Sequence, residues 1–198
     1  MLILSARELT RWTGVYSPHP LKGCIEYLLL NLIKLKIMIP HDLILETNKV
    51  ILRPLAEDDY ATILDIAKQD HDMWYYFSSN LGDEEQLKRW MAIAFTDKKA
   101  ETKRPFIIIE KSTGLVAGSS SMGNISYHDR RLEIGWSWLG TKFRSTGINR
   151  HAKYCMMKYA FDTLDFERVE FKTDVQNARA RMGLQNVGGI EEGILRSH

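Results

Sequence analysis

The order of hydrophobic patterns predicts a mixed α/β domain, with antiparallel strands first and strand–helix–strand units after them. Three observations carry that expectation. Pro105–Ile109 and Leu115–Met122 are apolar runs joined by Lys111-Ser-Thr-Gly114, a hairpin-type turn. Leu132–Trp138 is a strand-like run that passes through a basic, glycine-containing turn into a helix-like run from Ile148 to Thr163. Glu167–Thr173 is a further strand; Asn177 follows it, then a helical stretch closed by Gly188-Gly189, then Glu191–Arg196.

The elements before the hairpin follow from their own signals. Lys49–Leu55 reads as a strand ending at Pro54. Glu57-Asp-Asp59 then supplies acidic residues to a helix first turn, with Tyr60, Ile63, Leu64, Ile66 and Ala67 as its inner stripe. Asp83-Glu-Glu-Gln86 opens a second helix, on which Leu87, Trp90, Met91, Ile93 and Ala94 are expected to face inward. Between the two, His71–Phe77 is dense in aromatics. It reads either as packing or as one wall of an acceptor-substrate pocket, since aromatics supply area together with a polar tip. Tyr127–Arg131 is a polar turn into the next strand.

Composition bounds the rest. The chain has 198 residues, 44% of them hydrophobic, enough for one domain with a core of its own. A net charge of +2 with interspersed signs does not suggest bulk nucleic-acid binding. Cys24 and Cys155 lack metal-ligand spacing and read as reduced thiols of a cytoplasmic protein. Ile25–Ile39 is apolar-rich but is interrupted by Glu26, Asn31, Lys34 and Lys36, too short and too charged to span a membrane. No small-residue cleavage site follows it, so it does not read as a signal peptide. Residues 1–37 are expected to be an extension from an upstream start or appended sequence; the alternative is an amphipathic helix used for packing or dimerisation. Residues 38–198 are expected to form the domain.

The turn Thr141-Lys-Phe-Arg-Ser-Thr-Gly147-Ile-Asn-Arg150 is the most chemically pointed segment. A glycine-containing turn that opens a helix leaves several backbone N–H groups unpaired and converging, and the helix dipole adds positive charge there. That suits a phosphate. The nucleotide pattern G-x-x-x-x-G-K-[ST] and the dinucleotide pattern G-x-G-x-x-G are both absent. Along Leu132–Trp138, period-two alternation sends Leu132, Ile134, Trp136 and Trp138 one way. Glu133, Gly135 and Ser137 go the other, leaving a carboxylate on a lightly filled face. Glu133 there is fit to take a proton from an ammonium group, or else to pair with a Lys or Arg across the sheet.

Arg144-x-x-Gly147-x-Asn149 resembles the pyrophosphate loop of the Gcn5-related N-acetyltransferases (GNAT), R/Q-x-x-G-x-G/A. The strand–Asn177–helix–Gly–strand ending is similar to that family's ending. Val50-Ile-Leu-Arg53-Pro-Leu-Ala-Glu-Asp-Asp59 is similar to the L-R-P-x-x-x-x-D opening of its ribosomal-protein N-terminal acetyltransferase branch. The resemblance runs from about Leu45 to His198. It implies a mostly antiparallel mixed sheet flanked by helices, and acetyl transfer from acetyl-CoA to a primary amine, with a protein N-terminus as the favoured acceptor and no metal. Glu133 would be the base and Ser137 an acid candidate, as would Tyr154. Backbone near Ser137 and Trp138 would polarise the thioester. Lys142, Arg144, Ser145, Thr146, Gly147, Ile148 and Asn149 would hold the pyrophosphate, with Arg150 adding charge, and Asn177 would meet the pantetheine arm. Two departures stand out. Leu184 occupies the place of the family's thiolate-protonating tyrosine, and the family's last strand is missing, so the domain is expected to be C-terminally short. The rival implication is a non-catalytic acyl-CoA-binding or interaction module. A homodimer is left open.

Overall fold

The computed structural model describes residues 2–5 and 38–196. Residues Leu2–Ser5 form strand β1. The centre of the molecule is a six-stranded sheet with the spatial order β2 (Leu45–Glu46), β3 (Val50–Pro54), β4 (Lys103–Glu110), β5 (Val116–Ser126), β6 (Arg131–Leu139) and β7 (Arg168–Glu170). Every neighbouring pair is antiparallel except β6 and β7, which run parallel. The helices are α1 (Tyr60–Ala67), α2 (Glu84–Lys99), α3 (Ile148–Lys158) and α4 (Ala178–Gln185). This is the mixed, mostly antiparallel sheet flanked by helices that the sequence predicts.

Helices cover both faces, so the central strands bury residues in both directions. On one face, α3 lays Ile148, Ala152 and Met156 against Leu52, Phe106, Ile108, Leu132 and Ile134. On the other, Ile63 of α1 and Leu87 and Met91 of α2 cover Leu55, Ile107 and Trp138. Strand β4 serves both cores through its period of two, and each fully buried aliphatic side chain contributes roughly 1.5–3 kcal/mol.

The opening motif has a structural use. Arg53 grips the buried carboxylate of Asp59 with two hydrogen bonds of 2.6 and 2.8 Å, and the same carboxylate accepts from the Ala56 N–H. That clamp fixes the turn from β3 into α1. Asp83 caps α2 by accepting from the Gln86 N–H. One inward expectation fails: Ile93 is 52% exposed. Leu87, Met91 and Ala94 follow the i, i+4, i+7 stripe, and Ile93 stands about 200° around the helix from Met91.

The last strand, β8 (Ile190–Ile194), forms where the sequence places it but has no partner in the six-stranded sheet among the described residues. It pairs antiparallel with β1, Leu4 opposite Glu191 and Ser5 opposite Ile190. A stretch expected to be an extension outside the domain thus supplies a strand to its end. Cys24 and the apolar run as far as residue 37 lie outside the described residues. No helix among those described is long and apolar enough to cross a membrane.

Candidate active site

Strand β6 breaks the expected alternation once. Ser119 of β5 pairs with Trp138 and Ser121 pairs with Gly135, so Ser120 alone opposes Trp136 and Ser137. This is a β-bulge, with Trp136 in the left-handed region at φ 52°. Leu132 and Ile134 stay on the α3 face, but the extra residue inverts everything after it. Trp138 turns to the α1–α2 face, edge-on to Trp74 at 5.7 Å, instead of joining Leu132 and Ile134. Ser137 turns to the α3 face, away from Glu133, and its Oγ meets Ser120 Oγ at 2.8 Å. Both are corrections to the sequence reading. The bulge also leaves one residue of backbone without a partner on β5.

Beside the bulge, the sheet opens. The β6–β7 ladder covers only Arg131–Glu133 against Arg168–Glu170, and β6 then runs on to Leu139 without its neighbour. Glu133 stands where the strands part, with only 6% of its surface exposed. Its Oε2 accepts from Asn124 Nδ2 at 2.7 Å and pairs with Lys172 Nζ at 2.7 Å. The cross-sheet lysine that sequence reasoning kept as the alternative is therefore present. Oε1 lies toward Gly135, 3.2 Å from where a Cβ on that glycine would stand, so the glycine keeps that side clear.

On the α3 side of the opening sits Lys153, which sequence reasoning missed. Its Nζ donates to Ser137 Oγ at 3.2 Å and lies 5.2 Å from the centre of the Phe171 ring, just past β7. The residue is buried, and burial alone pushes its amine down to about 8. Its position was readable: Lys153 lies three and four residues before Met156 and Met157, which the same helix buries. Cys155 on the same helix is a core thiol; its Sγ donates to the Ala152 carbonyl and burial pushes it up to about 12.

The turn into α3 follows β6 directly. Ser145 and Gly147 both adopt left-handed backbone, φ 61° and 90°, and Gly147 is the N-cap of α3. Alternation of hand turns successive N–H groups inward, and at Gly147 a side chain would be strained. Thr146 braces the turn by donating to the Phe143 carbonyl at 2.7 Å. A cation unforeseen in the sequence joins it: Lys49 Nζ is 3.7 Å from a Cβ position on Gly147. Burial first, then Lys49 and Arg150, hold the His151 imidazole below its ordinary pKa. A cavity of about 210 Å³ lined by Asn48, Lys49, Thr146 and Ile148 flanks the turn, and one of about 120 Å³ lined by Ile66, Gln69, Gly140 and Lys142 lies on another side. Arg144 is committed elsewhere. Its guanidinium donates to Asp70 at 2.7 Å and to the Leu139 carbonyl, and holds Asp70 below the usual carboxylate range.

The remaining candidates divide. Asn177 caps α4 by accepting from the Ala180 N–H at 3.0 Å. Asn149 Nδ2 is the nearest atom, at 4.0 Å, to a Cβ position on Gly183, so no protein backbone crowds that glycine. Leu184 is buried in the α3-side core, and Tyr154 is half exposed. The aromatic stretch is split: Trp74 is core, whereas Tyr75 is 76% exposed and Tyr76 donates to the Gln176 carbonyl beside Asn177.

A mixed sheet that parts beside a bulged strand and runs into a left-handed, basic helix opening defines an acyltransferase fold of the Gcn5-related type. The family model for the acetyltransferase (GNAT) domain matches residues 49–190, and the chain belongs to that family. It is 30% identical over 129 residues to the "Putative ribosomal N-acetyltransferase YdaF" of Bacillus subtilis strain 168, covering 58% of this chain and 70% of that protein. Among solved structures it is similar to a GCN5-related N-acetyltransferase from Brucella melitensis, with TM-score 0.72 and 24% identity over 80% of this chain and 72% of that one. It is also similar to spermidine N-acetyltransferase from Vibrio cholerae in complex with CoA and spermine, with TM-score 0.63 and 19% identity over 77% and 87%. At those identities the likeness carries the fold alone.

Proposed function

We propose that the protein transfers acetyl from acetyl-CoA to a primary amine by direct attack, with a protein N-terminus as the acceptor. The observation that carries this reading is the parting of β6 from β7 beside the bulge, in line with the left-handed turn. The pyrophosphate would sit on the backbone N–H groups from Ser145 to Asn149, since the Arg144 N–H donates to the Thr141 carbonyl, with Lys142, Lys49 and Arg150 supplying charge. Ser145 and Gly147 set the curvature, Thr146 braces it and Ile148 anchors the helix. The pantetheine arm would run between the parted strands, with Asn177 on its far side. Unpaired backbone of the bulge near Ser137 and Trp138 would polarise the thioester carbonyl. Glu133 Oε1 would accept the ammonium proton, while Asn124 and Lys172 hold the other oxygen in place. The Trp138 side chain serves the wall through Trp74 and takes no part in the cofactor contact.

The opening motif and YdaF's name support this acceptor, and small polyamines are the competing class. Glu133→Gln tests the chemistry. It is expected to keep coenzyme A affinity and abolish turnover on an N-terminal peptide. The Lys172 pairing and Leu184 favour a second reading, a binding module of the same fold. Unchanged turnover in Glu133→Gln rules out the catalytic role, and coenzyme A binding without turnover in the wild type on any amine class leaves the module.

A further inference from the structure

The buried amine of Lys153 is the most unusual group in the molecule. An ammonium has three donors, and here one reaches Ser137 Oγ while Phe171 offers only its ring face. No carboxylate is ion-paired with it among the described residues. The carboxylate on β6, Glu133, is held by Lys172 and Asn124, and Cys155 on its own helix is bonded to Ala152. Burying an ammonium with only a hydroxyl and a ring face as partners costs free energy, which an arriving anion would offset. Ser137 stands on β6 and Phe171 just past the end of β7, so the amine contacts residues from both sides of the parting.

Resting on the acetyl-transfer reading above, we infer that Lys153, acting through Ser137, supplies the proton that the departing coenzyme A thiolate takes up. The acceptor nitrogen forms its bond to the acyl carbon and the C–S bond breaks, with the electron pair leaving on sulfur. Ser137 Oγ–H passes its proton to sulfur and recovers one from the Lys153 ammonium, which is left as a neutral amine. Solvent restores that proton as the proton released by the acceptor nitrogen leaves through Glu133. This assigns the task that Leu184, an aliphatic side chain in the core, cannot perform. Lys153 is in this account a positioning and proton-supplying residue.

The test needs no acceptor. Coenzyme A is bound to the wild type, to Lys153→Met and to Ser137→Ala, and ionisation of the bound thiol is followed by thiolate absorbance from pH 6 to 10, with desulfo-coenzyme A as the blank. Met fills the volume of the lysine stem, so the variant is expected to fold and to bind desulfo-coenzyme A as the wild type does. The thiol of bound coenzyme A should ionise at a lower pH in the wild type, by about one pH unit relative to Lys153→Met, as a buried positive charge one hydroxyl away favours the thiolate. Ser137→Ala should move the midpoint in the same direction as Lys153→Met, and it decides the matter if Lys153→Met does not fold. Equal midpoints in all proteins that bind coenzyme A would overturn the role of Lys153 and leave the cofactor reading standing. Failure of the wild type to bind coenzyme A would overturn both.

Discussion

The sheet has two halves with opposite treatment of their edges. From β3 to β5 the ladders run almost unbroken, Val50–Pro54 against Phe106–Glu110 and Lys103–Ile109 against Val116–Gly123, with buried side chains on both faces. Across β6 and β7 only three pairs form, and the polar side chains beside their parting are the buried Glu133 and Lys153 and the half-buried Ser137. The first half satisfies its ladder internally, and its buried Arg104 donates to the Ile39 and Lys98 carbonyls, although one Nη is left without a hydrogen bond among the described residues. The second keeps some of that capacity for something outside the protein. Even the buried charges differ: Arg53–Asp59 in the first half is closed by bidentate hydrogen bonds, while Lys153 in the second has a hydroxyl and a ring.

The largest expected effect falls on the open half. Glu133→Gln should lower turnover by about 10²–10⁴-fold, the usual contribution of a positioned base, with coenzyme A affinity unchanged in a parallel calorimetric titration. Next, Lys153→Met should raise stability at pH 7 by up to about 3 kcal/mol, read by urea unfolding. The sign follows from linkage. A lysine depressed in the fold to about 8, from its ordinary value of 10.5, binds fewer protons folded than unfolded between those values. Wild-type stability should therefore rise with pH across that window, and the rise should vanish in Lys153→Met. A flat wild-type profile would remove the contrast between the halves.

The closed half predicts the reverse behaviour. Asp59→Ala strands Arg53 and the Ala56 N–H, and should cost about 1–3 kcal/mol without altering the affinity for coenzyme A. Water reaches the one-third-exposed Arg53 guanidinium and limits the loss. The smallest effect sharpens the boundary. Gly183→Ala meets only Asn149 Nδ2 at 4.0 Å, so it should stabilise α4 by about 0.4–1 kcal/mol. Weaker coenzyme A binding in that more stable variant would mean that the cofactor passes against Gly183.

What was legible in the sequence divides along the same line. Period, caps and turns are local signals, so the strands, Asp83, Asn177 and the left-handed Gly147 could be read from residue order. The bulge was not legible, because Ser-Trp alternates as well as any strand; only the register against Ser119–Ser121 reveals the extra residue, and with it the turned faces of Ser137 and Trp138. Contacts over long separations were equally hidden. Lys172 on Glu133, Asp70 on Arg144 and Lys49 beside Gly147 are brought together by topology, not by spacing. Glu133 itself was readable as a carboxylate with small neighbours, but its partner was not. The pairing of β8 with Leu2–Ser5 joins the two ends of the chain and had no local signal.

The central claim, that the turn from β6 into α3 holds a coenzyme A pyrophosphate, is tested most directly by thermal unfolding with acetyl-CoA, coenzyme A and ATP in parallel. At about 100 times the dissociation constant, either form of coenzyme A should raise Tm by roughly 5–10 °C, with little change from ATP. A cooperative melt that neither coenzyme A form moves would mean that the turn is a structural helix cap, and the acetyl-transfer account would fall with it.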